Sequence, residues 1–226
     1  MNKTGVIFDL DGVIVDTAKY HFLAWKHLAD DLGFEFTEAH NELLKGVSRV
    51  RSLEILLDIG KVKLSEEKKQ EILISKNEDY LSYITKMGSE EILPGVKELL
   101  DTLDDLGIQY VLGSASKNAP LILKQVNLYE RFVGIVDGNS VSKAKPDPEV
   151  FLIGAKKLNL QPEQCIVFED AIAGVEAANT ANMISIGIGD KQTLYKADYN
   201  FTDLTEINSD FIKELSTSKV KKEQRV

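Results

Sequence analysis

Asp9 and Asp11 stand two residues apart, directly after the apolar run Gly5-Val6-Ile7-Phe8. In an extended stretch that spacing turns both side chains to one side. One carboxylate is then placed to attack phosphorus while the other exchanges a proton with the attacking or leaving hydroxyl. Alone, Asp-x-Asp is a common solvated turn. Three more polar clusters follow later in the chain: Ser114 to Asn118, Lys145, and Glu169-Asp170. If they converge, Asp9, Glu169 and Asp170 put three carboxylates near one point, which requires a cation. A hard ion with oxygen ligands, Mg²⁺, suits both carboxylates and phosphate. Ser114 offers a hydroxyl, and Ala115, Ser116, Lys117 and Asn118 open a helix whose backbone N–H groups face an anion. Lys145, on the stiff segment Lys145-Pro146-Asp147-Pro148, adds a positive charge. Metal, cation and hydrogen-bond donors around a carboxylate form a cradle for phosphoryl transfer.

These residues need elements that bring them together. Residues 5–8 lack the alternation of a half-solvated strand and predict a strand buried on both faces. Similar runs recur at 109–113, 133–136, 165–168 and 184–188, with helical patterns at 96–106, 119–128, 149–158 and 174–181. Pro94 and Pro148 mark first helical turns. Strand–helix alternation predicts a doubly wound α/β fold with a parallel sheet, in which ligands bind beyond the carboxyl ends of the strands. Residues 17–88 break that rhythm. Phe22, Trp25, Leu28, Ala29 and Leu32 carry helix spacing ending at Gly33, 53–57 and 66–83 also read as helical, and no strand is evident. The predicted organisation is therefore a catalytic core from 1–16 and 89–226 with an inserted all-helical cap at 17–88. The Lys/Glu/Gln-rich end after Ser216 reads as a solvated tail.

Composition narrows the class. The 226 residues are 43% hydrophobic and 28% charged, with a net charge of −9. That suits a folded protein and excludes the basic face of a nucleic-acid binder, while leaving an anionic substrate open through local cations. The single cysteine, Cys165, lies in the apolar run 165–168 and reads as core. No segment approaches the ~20 apolar residues of a membrane span, and no secretory pattern opens the chain. A cytoplasmic monomer with no membrane or nucleic-acid partner fits these features. Gly187-Ile188-Gly189 lacks the third glycine of a dinucleotide fingerprint.

The segment from Phe8 to Thr17, FDLDGVIVDT, resembles the first motif of the haloacid dehalogenase superfamily. Ser114, Lys145 and Glu169-Asp170 resemble its second, third and fourth motifs in order. The second aspartate, Asp11, is the mark of its phosphatases and mutases. The cap segments His21-Phe22-Leu23-Ala24-Trp25-Lys26 and Lys45-Gly46-Val47-Ser48-Arg49, with 114–118, are similar to those of its sugar phosphomutases.

This resemblance implies a Rossmann-like core and a distinct set of roles. Asp9 would be the phosphorylated nucleophile and Asp11 the general acid/base. Asp9, the Asp11 backbone carbonyl, Glu169 and Asp170 would hold Mg²⁺, and Ser114 and Lys145 would orient the transferring phosphoryl group. Arg49 with Ser116, Lys117 and Asn118 would grip the other phosphate of a small sugar-phosphate substrate. Thr17, His21, Trp25, Lys45, Gly46, Val47, Ser48, Lys76 and Ala115 would complete the substrate contacts, with Asn77 beside Lys76. Ala171 departs from relatives with serine there. The implied reaction takes β-D-glucose 1-phosphate to D-glucose 6-phosphate through the 1,6-bisphosphate.

A sugar-phosphate phosphatase of the same superfamily is the nearest rival, since its core residues would be identical. A phospho-aspartate signalling receiver is a more distant one, because it needs neither a helical insertion nor Asp11. Trp25 and Arg49, taken without the resemblance, read as core and as a surface charge. His27 and His40 are assigned no chemistry.

Overall fold

A computed structural model describes residues 4–217. Six strands, β1 (Gly5–Phe8), β2 (Tyr110–Gly113), β3 (Ile135–Val136), β4 (Cys165–Glu169), β5 (Ile184–Ile188) and β6 (Tyr199–Phe201), form one sheet in the order β3-β2-β1-β4-β5-β6. Every pairing is parallel. β1, β2, β4 and β5 are buried throughout, as the apolar runs of β1, β2 and 165–168 demand, while β5 buries Ser185 between its isoleucines. One apolar cluster, including Phe8, Leu112, Phe168 and Ile186, fills one side of the sheet. A second, with Ile7, Val111, Phe151 and Val167, fills the other. Adjacent strand residues supply opposite clusters, the two-sided burial of a doubly wound sheet.

Helices α1 (Ala18–Asp31), α2 (Glu38–Glu42), α3 (Arg49–Gly60) and α4 (Glu66–Ile84) lie between β1 and β2, and the core helices are α5 (Val96–Asp105), α6 (Ala119–Gln125), α7 (Glu149–Leu158), α8 (Ile172–Thr180) and α9 (Ser209–Thr217). The first four pack Trp25, Phe36, Leu53, Leu56 and Leu73 into their own apolar cluster. The chain enters and leaves this helical insertion side by side. The Asp16 N–H donates to Glu91 O at 2.9 Å and the Leu93 N–H to Ile14 O at 3.0 Å. This places both connecting strands next to the end of β1. No helix among the described residues is long and apolar enough to cross a membrane.

Helix α7 spans the expected 149–158 with Pro148 as its N-cap, while α6 ends at Gln125 rather than at 128 and Gly95 intervenes between Pro94 and α5. Three elements were not expected. Strand β6 is short and half-buried at the sheet edge. Helix α2 spans five residues and closes its capping box with Thr37 and His40 in place of an acidic residue. Helix α9 takes in Ser216 and Thr217, and the rest of the expected tail lies outside the described residues.

Leu56 is fully buried in the insertion's cluster. Leu56→Ala is expected to lower the unfolding free energy by about 2–5 kcal/mol, the cost of a core cavity. Denaturant titration checks this, and a loss below about 1 kcal/mol would show that the insertion does not depend on this packing.

Candidate active site

Between β1 and β4 the strand order reverses direction from the chain start, and a crevice opens beyond their carboxyl ends. Asp9 immediately follows β1, and Glu169 is the last residue of β4. The Asp9 N–H donates to Phe168 O at 2.9 Å, so the ladder itself fixes both positions. Ser114 follows β2 and is fully buried, its N–H donating to Val136 O. Lys145, on the loop after β3, reaches back between the acids. Its ammonium donates to Asp9 Oδ1 at 2.6 Å and to Glu169 Oε1, and lies 4.8 Å over the Phe151 ring.

Asp9, Glu169 and Asp170 offer carboxylate oxygens that all lie within 4.8 Å of one another. Burial and mutual repulsion raise the pKa values of Glu169 and Asp170. Lys145, although buried, is held charged with a raised pKa by Asp9 and Glu169. Lys145 between Asp9 and Glu169, with Lys45 3.7 Å from Asp170 but shared with Glu42, leaves an excess of negative charge that a divalent cation would offset. The donor set is all oxygen, as a hard cation requires. Gly12 secures the room: its φ of +84° is strained for other residues, and a Cβ there would strike the Asp170 carboxylate. The residues present therefore fit a hard divalent ion.

Asp11 faces the other way. Its N–H donates to Asp9 Oδ2 at 3.1 Å, while its own carboxylate accepts from the Thr17 hydroxyl. Burial, and then the neighbouring Asp9, push its pKa up to about 6. His21 Nε2 stands 4.0 Å from Asp11 Oδ1, and His21 Nδ1 is 3.1 Å from Lys76 Nζ. Burial first, then Lys76 and Arg49, hold His21 well below its usual pKa. With His21 neutral, Nδ1 accepts a hydrogen bond from the Lys76 ammonium in the tautomer that carries the ring proton on Nε2, the nitrogen 4.0 Å from Asp11. Lys76, buried over the Trp25 and Tyr80 rings, has its pKa lowered to about 7, chiefly by burial and then by Arg49.

A cavity of about 700 Å³ joins the two halves. Asp9, Asp11, Lys145, Asp170 and residues 114–118 line it from the core, and His21, Trp25, residues 45–49, Lys76 and Asn77 line it from the helical insertion. Asn118 Nδ2 donates to Asn77 Oδ1 at 3.0 Å, tying the two sides. Arg49 opens α3 and lines the cavity. Burial lowers its pKa, and among the described residues no carboxylate pairs with it. Gly46 has φ +72°, and a Cβ there would come within 2.7 Å of Ala171 Cβ, so this loop approaches the core as only glycine permits.

Three expected contacts take a different form. Thr17 is fully buried and does not line the cavity; the chain folds back after Val15, so its hydroxyl serves Asp11 rather than a ligand. Lys45 lines the cavity, but its ammonium is 3.0 Å from Glu42 and 3.7 Å from Asp170, committed to acids. Of the N–H groups expected to face an anion, those of Ser116 and Asn118 turn inward onto the hydroxyls of Ser114 and Ser116. The alanine at position 171 keeps one contact all the same, its backbone N–H donating to Glu169 Oε2 at 2.9 Å.

Asn41, Ser52, Gly138 and residues 141–144 also line the cavity and were not anticipated. Ser52 left a readable sign: it shares the buried stripe of α3 with Leu53 and Leu56, where an apolar residue belongs.

Residues 3–182 match the model of the haloacid dehalogenase-like hydrolase family. The chain is 42% identical over 211 residues to the β-phosphoglucomutase of Bacillus subtilis (strain 168), covering 92% of this chain and 93% of that one. It is 32% identical over 180 residues to a phosphorylated carbohydrates phosphatase of Thermotoga maritima, covering 79% and 81%. Its structure superposes on the crystal structure of a β-phosphoglucomutase from Clostridium difficile with a TM-score of 0.90 and 41% identity, over 95% of this chain and 97% of that chain.

The charge balance predicts a pH-dependent response to metal. A carboxyl with a raised folded pKa keeps in the folded state a proton that the unfolded chain has lost. Its burial therefore costs stability as pH rises from the ordinary carboxylate range through the folded value, about 6 for Asp11. Glu169 and Asp170 act in the same direction. A bound divalent cation stabilises the ionised forms and competes with protons. The rise in melting temperature on adding MgCl₂ to chelator-treated protein should therefore be small near about pH 5 and grow toward about pH 8. A metal-induced shift independent of pH would contradict this balance.

Proposed function

This chain belongs to the family of haloacid dehalogenase-like hydrolases, and on that premise we propose that it interconverts β-D-glucose 1-phosphate and D-glucose 6-phosphate. One observation carries the reading: a single cavity holds the Asp9/Asp11 pair and also an Arg49 guanidinium that no carboxylate answers among the described residues. A substrate bearing one phosphate at each end of a sugar uses both. Similarity over nearly the whole chain to β-phosphoglucomutases supports the choice of hexose.

In this reading phospho-Asp9 passes its phosphoryl group to the 6-hydroxyl of β-glucose 1-phosphate. Asp11 accepts the proton of that hydroxyl as the new P–O bond forms and the bond to Asp9 breaks. The bisphosphate turns end for end, Asp9 attacks the 1-phosphate, and Asp11 returns the proton to the C1 oxygen that leaves. Glucose 6-phosphate departs and phospho-Asp9 is restored. A pKa near 6 suits a group that must both take and give a proton near neutrality.

Lys145 neutralises charge on the nucleophile's side, and Ser114 offers its hydroxyl to the transferring group. Asp9, Glu169, Asp170 and the Asp11 carbonyl are the proposed Mg²⁺ ligands; when bound, the ion would offset charge on the phosphoryl oxygens. Arg49, with Ser116, Lys117 and Asn118, holds whichever phosphate is idle, and His21 and Lys76 orient Asp11. Residues 17–88 act as a cap whose closure keeps water from phospho-Asp9. The protein works in this reading as a cytoplasmic monomer on a small sugar phosphate.

A coupled assay on β-glucose 1-phosphate with Mg²⁺ and a trace of β-glucose 1,6-bisphosphate should yield glucose 6-phosphate with little free phosphate. Stoichiometric free phosphate without isomer would assign the chain to the phosphatases instead. Arg49→Ala should lower kcat/KM for isomerisation by on the order of ten- to a hundredfold, the size of a charged hydrogen-bond loss. Unchanged kinetics would remove Arg49 from the site.

A further inference from the structure

Lys45 stands where two cavities meet. The cavity already described shares Lys45 and Asp170 with a smaller one of about 300 Å³, which Gly12, Asp16, Glu42, Asp190 and Asp203 also line. The Lys45 ammonium is 3.7 Å from Asp170 Oδ2 and 3.0 Å from Glu42 Oε2. The Asp170 side chain is only 10% exposed, whereas that of Glu42 is 63% exposed. Lys45 and Glu42 belong to the helical insertion, and Asp170 to the core. Among the described residues, Lys45 is the one cation of the insertion that pairs with an acid of the Asp9, Glu169 and Asp170 cluster.

This contact is too weak to be a tie between the two parts of the chain. A partly exposed ion pair adds little stability, and the nearer Glu42 pulls the ammonium away from Asp170. Its effect on a third charge is larger. A divalent ion held by Asp9, Glu169 and Asp170 has the Lys45 ammonium within a few ångströms. A carboxylate has two oxygens, so the ion and the ammonium can both touch Asp170, but as like charges they repel. Glu42 works in the opposite sense, because it holds the ammonium on the side of the smaller cavity, where there is room for the side chain.

We propose that Lys45 and Glu42 together set the affinity of the core for a divalent cation. The Lys45 ammonium weakens the hold of Asp170 on the ion, and Glu42 relieves that by drawing the ammonium off. No proton moves and no covalent bond changes. The insertion thus tunes a site whose ligands all lie in the core. This inference rests on the ligand set proposed above and not on the choice of hexose.

The test titrates chelator-treated full-length protein with MnCl₂ at one pH and ionic strength, reading free Mn²⁺ by electron paramagnetic resonance. Lys45→Met should lower Kd on the order of tenfold, the repulsion between a dication and an ammonium a few ångströms apart in a water-like medium. Lys45→Arg, which keeps the charge, should stay near the wild type. Glu42→Gln should raise Kd several-fold, yet change it by less than about twofold in the Lys45→Met background, where no ammonium is left to draw off. Melting temperatures of the variants without metal should stay within about 2 °C of the wild type, as a partly exposed ion pair allows. An unchanged or raised Kd in Lys45→Met, or a Glu42→Gln effect equal in both backgrounds, would overturn the proposal. The two readings fail separately. Mn²⁺ binding that survives Asp170→Asn undiminished overturns the ligand set and this inference with it. Binding lost in Asp170→Asn but indifferent to Lys45→Met overturns this inference alone.

Discussion

The Lys145 ammonium lies buried between Asp9 and Glu169, with Asp170 beside them, and the rest of the site is arranged around that charge. Three carboxylates removed from water repel strongly, and Lys145, with Lys45 beside Asp170, answers only part of the repulsion. Burial first, and then that repulsion, raises the pKa values of Glu169 and Asp170, and a divalent cation fits the excess of negative charge. The parallel sheet makes the cluster possible. It delivers Asp9 and Glu169 from adjacent strands at the point where the strand order reverses, and Gly12 leaves the space that the Asp170 carboxylate occupies.

Around this centre, the helical insertion contributes cations whose charge is held in check. Lys76 is buried over two aromatic rings with a lowered pKa, His21 is held neutral, and Lys45 is taken up by Glu42 and Asp170. Arg49 is left facing the cavity. An anion entering this cavity therefore meets a guanidinium on the side of the helical insertion and Lys145 with its acids on the core side. The two connecting segments at 14–16 and 91–93 run side by side, next to the turn that carries Asp11 and Thr17.

Much of this was legible in the chain because two-sided burial writes itself plainly: β1, β2 and residues 165–168 of β4 are apolar runs without polar alternation, and the polar residues that end or follow them mark the crevice. Strand β6 left no such run, since Tyr-Asn-Phe is half-buried at an edge and needs only one neighbour. Helix α2, with five residues, is too short for a periodic pattern. Within the site, Asp9, Lys145, Glu169 and Asp170 announced themselves by charge and position. Thr17 did not, because its service to Asp11 depends on the chain folding back after Val15.

The central claim, that the charge cluster at the end of β1 makes Asp9 and not Asp11 the group that carries phosphate, is open to direct measurement. The protein is exposed to β-glucose 1,6-bisphosphate with MgCl₂, the acyl phosphate is trapped by hydride reduction, and the modified residue is located by mass spectrometry. The account predicts modification at Asp9 with Asp11 untouched. Label on Asp11, on a histidine, or on no residue during turnover would contradict it.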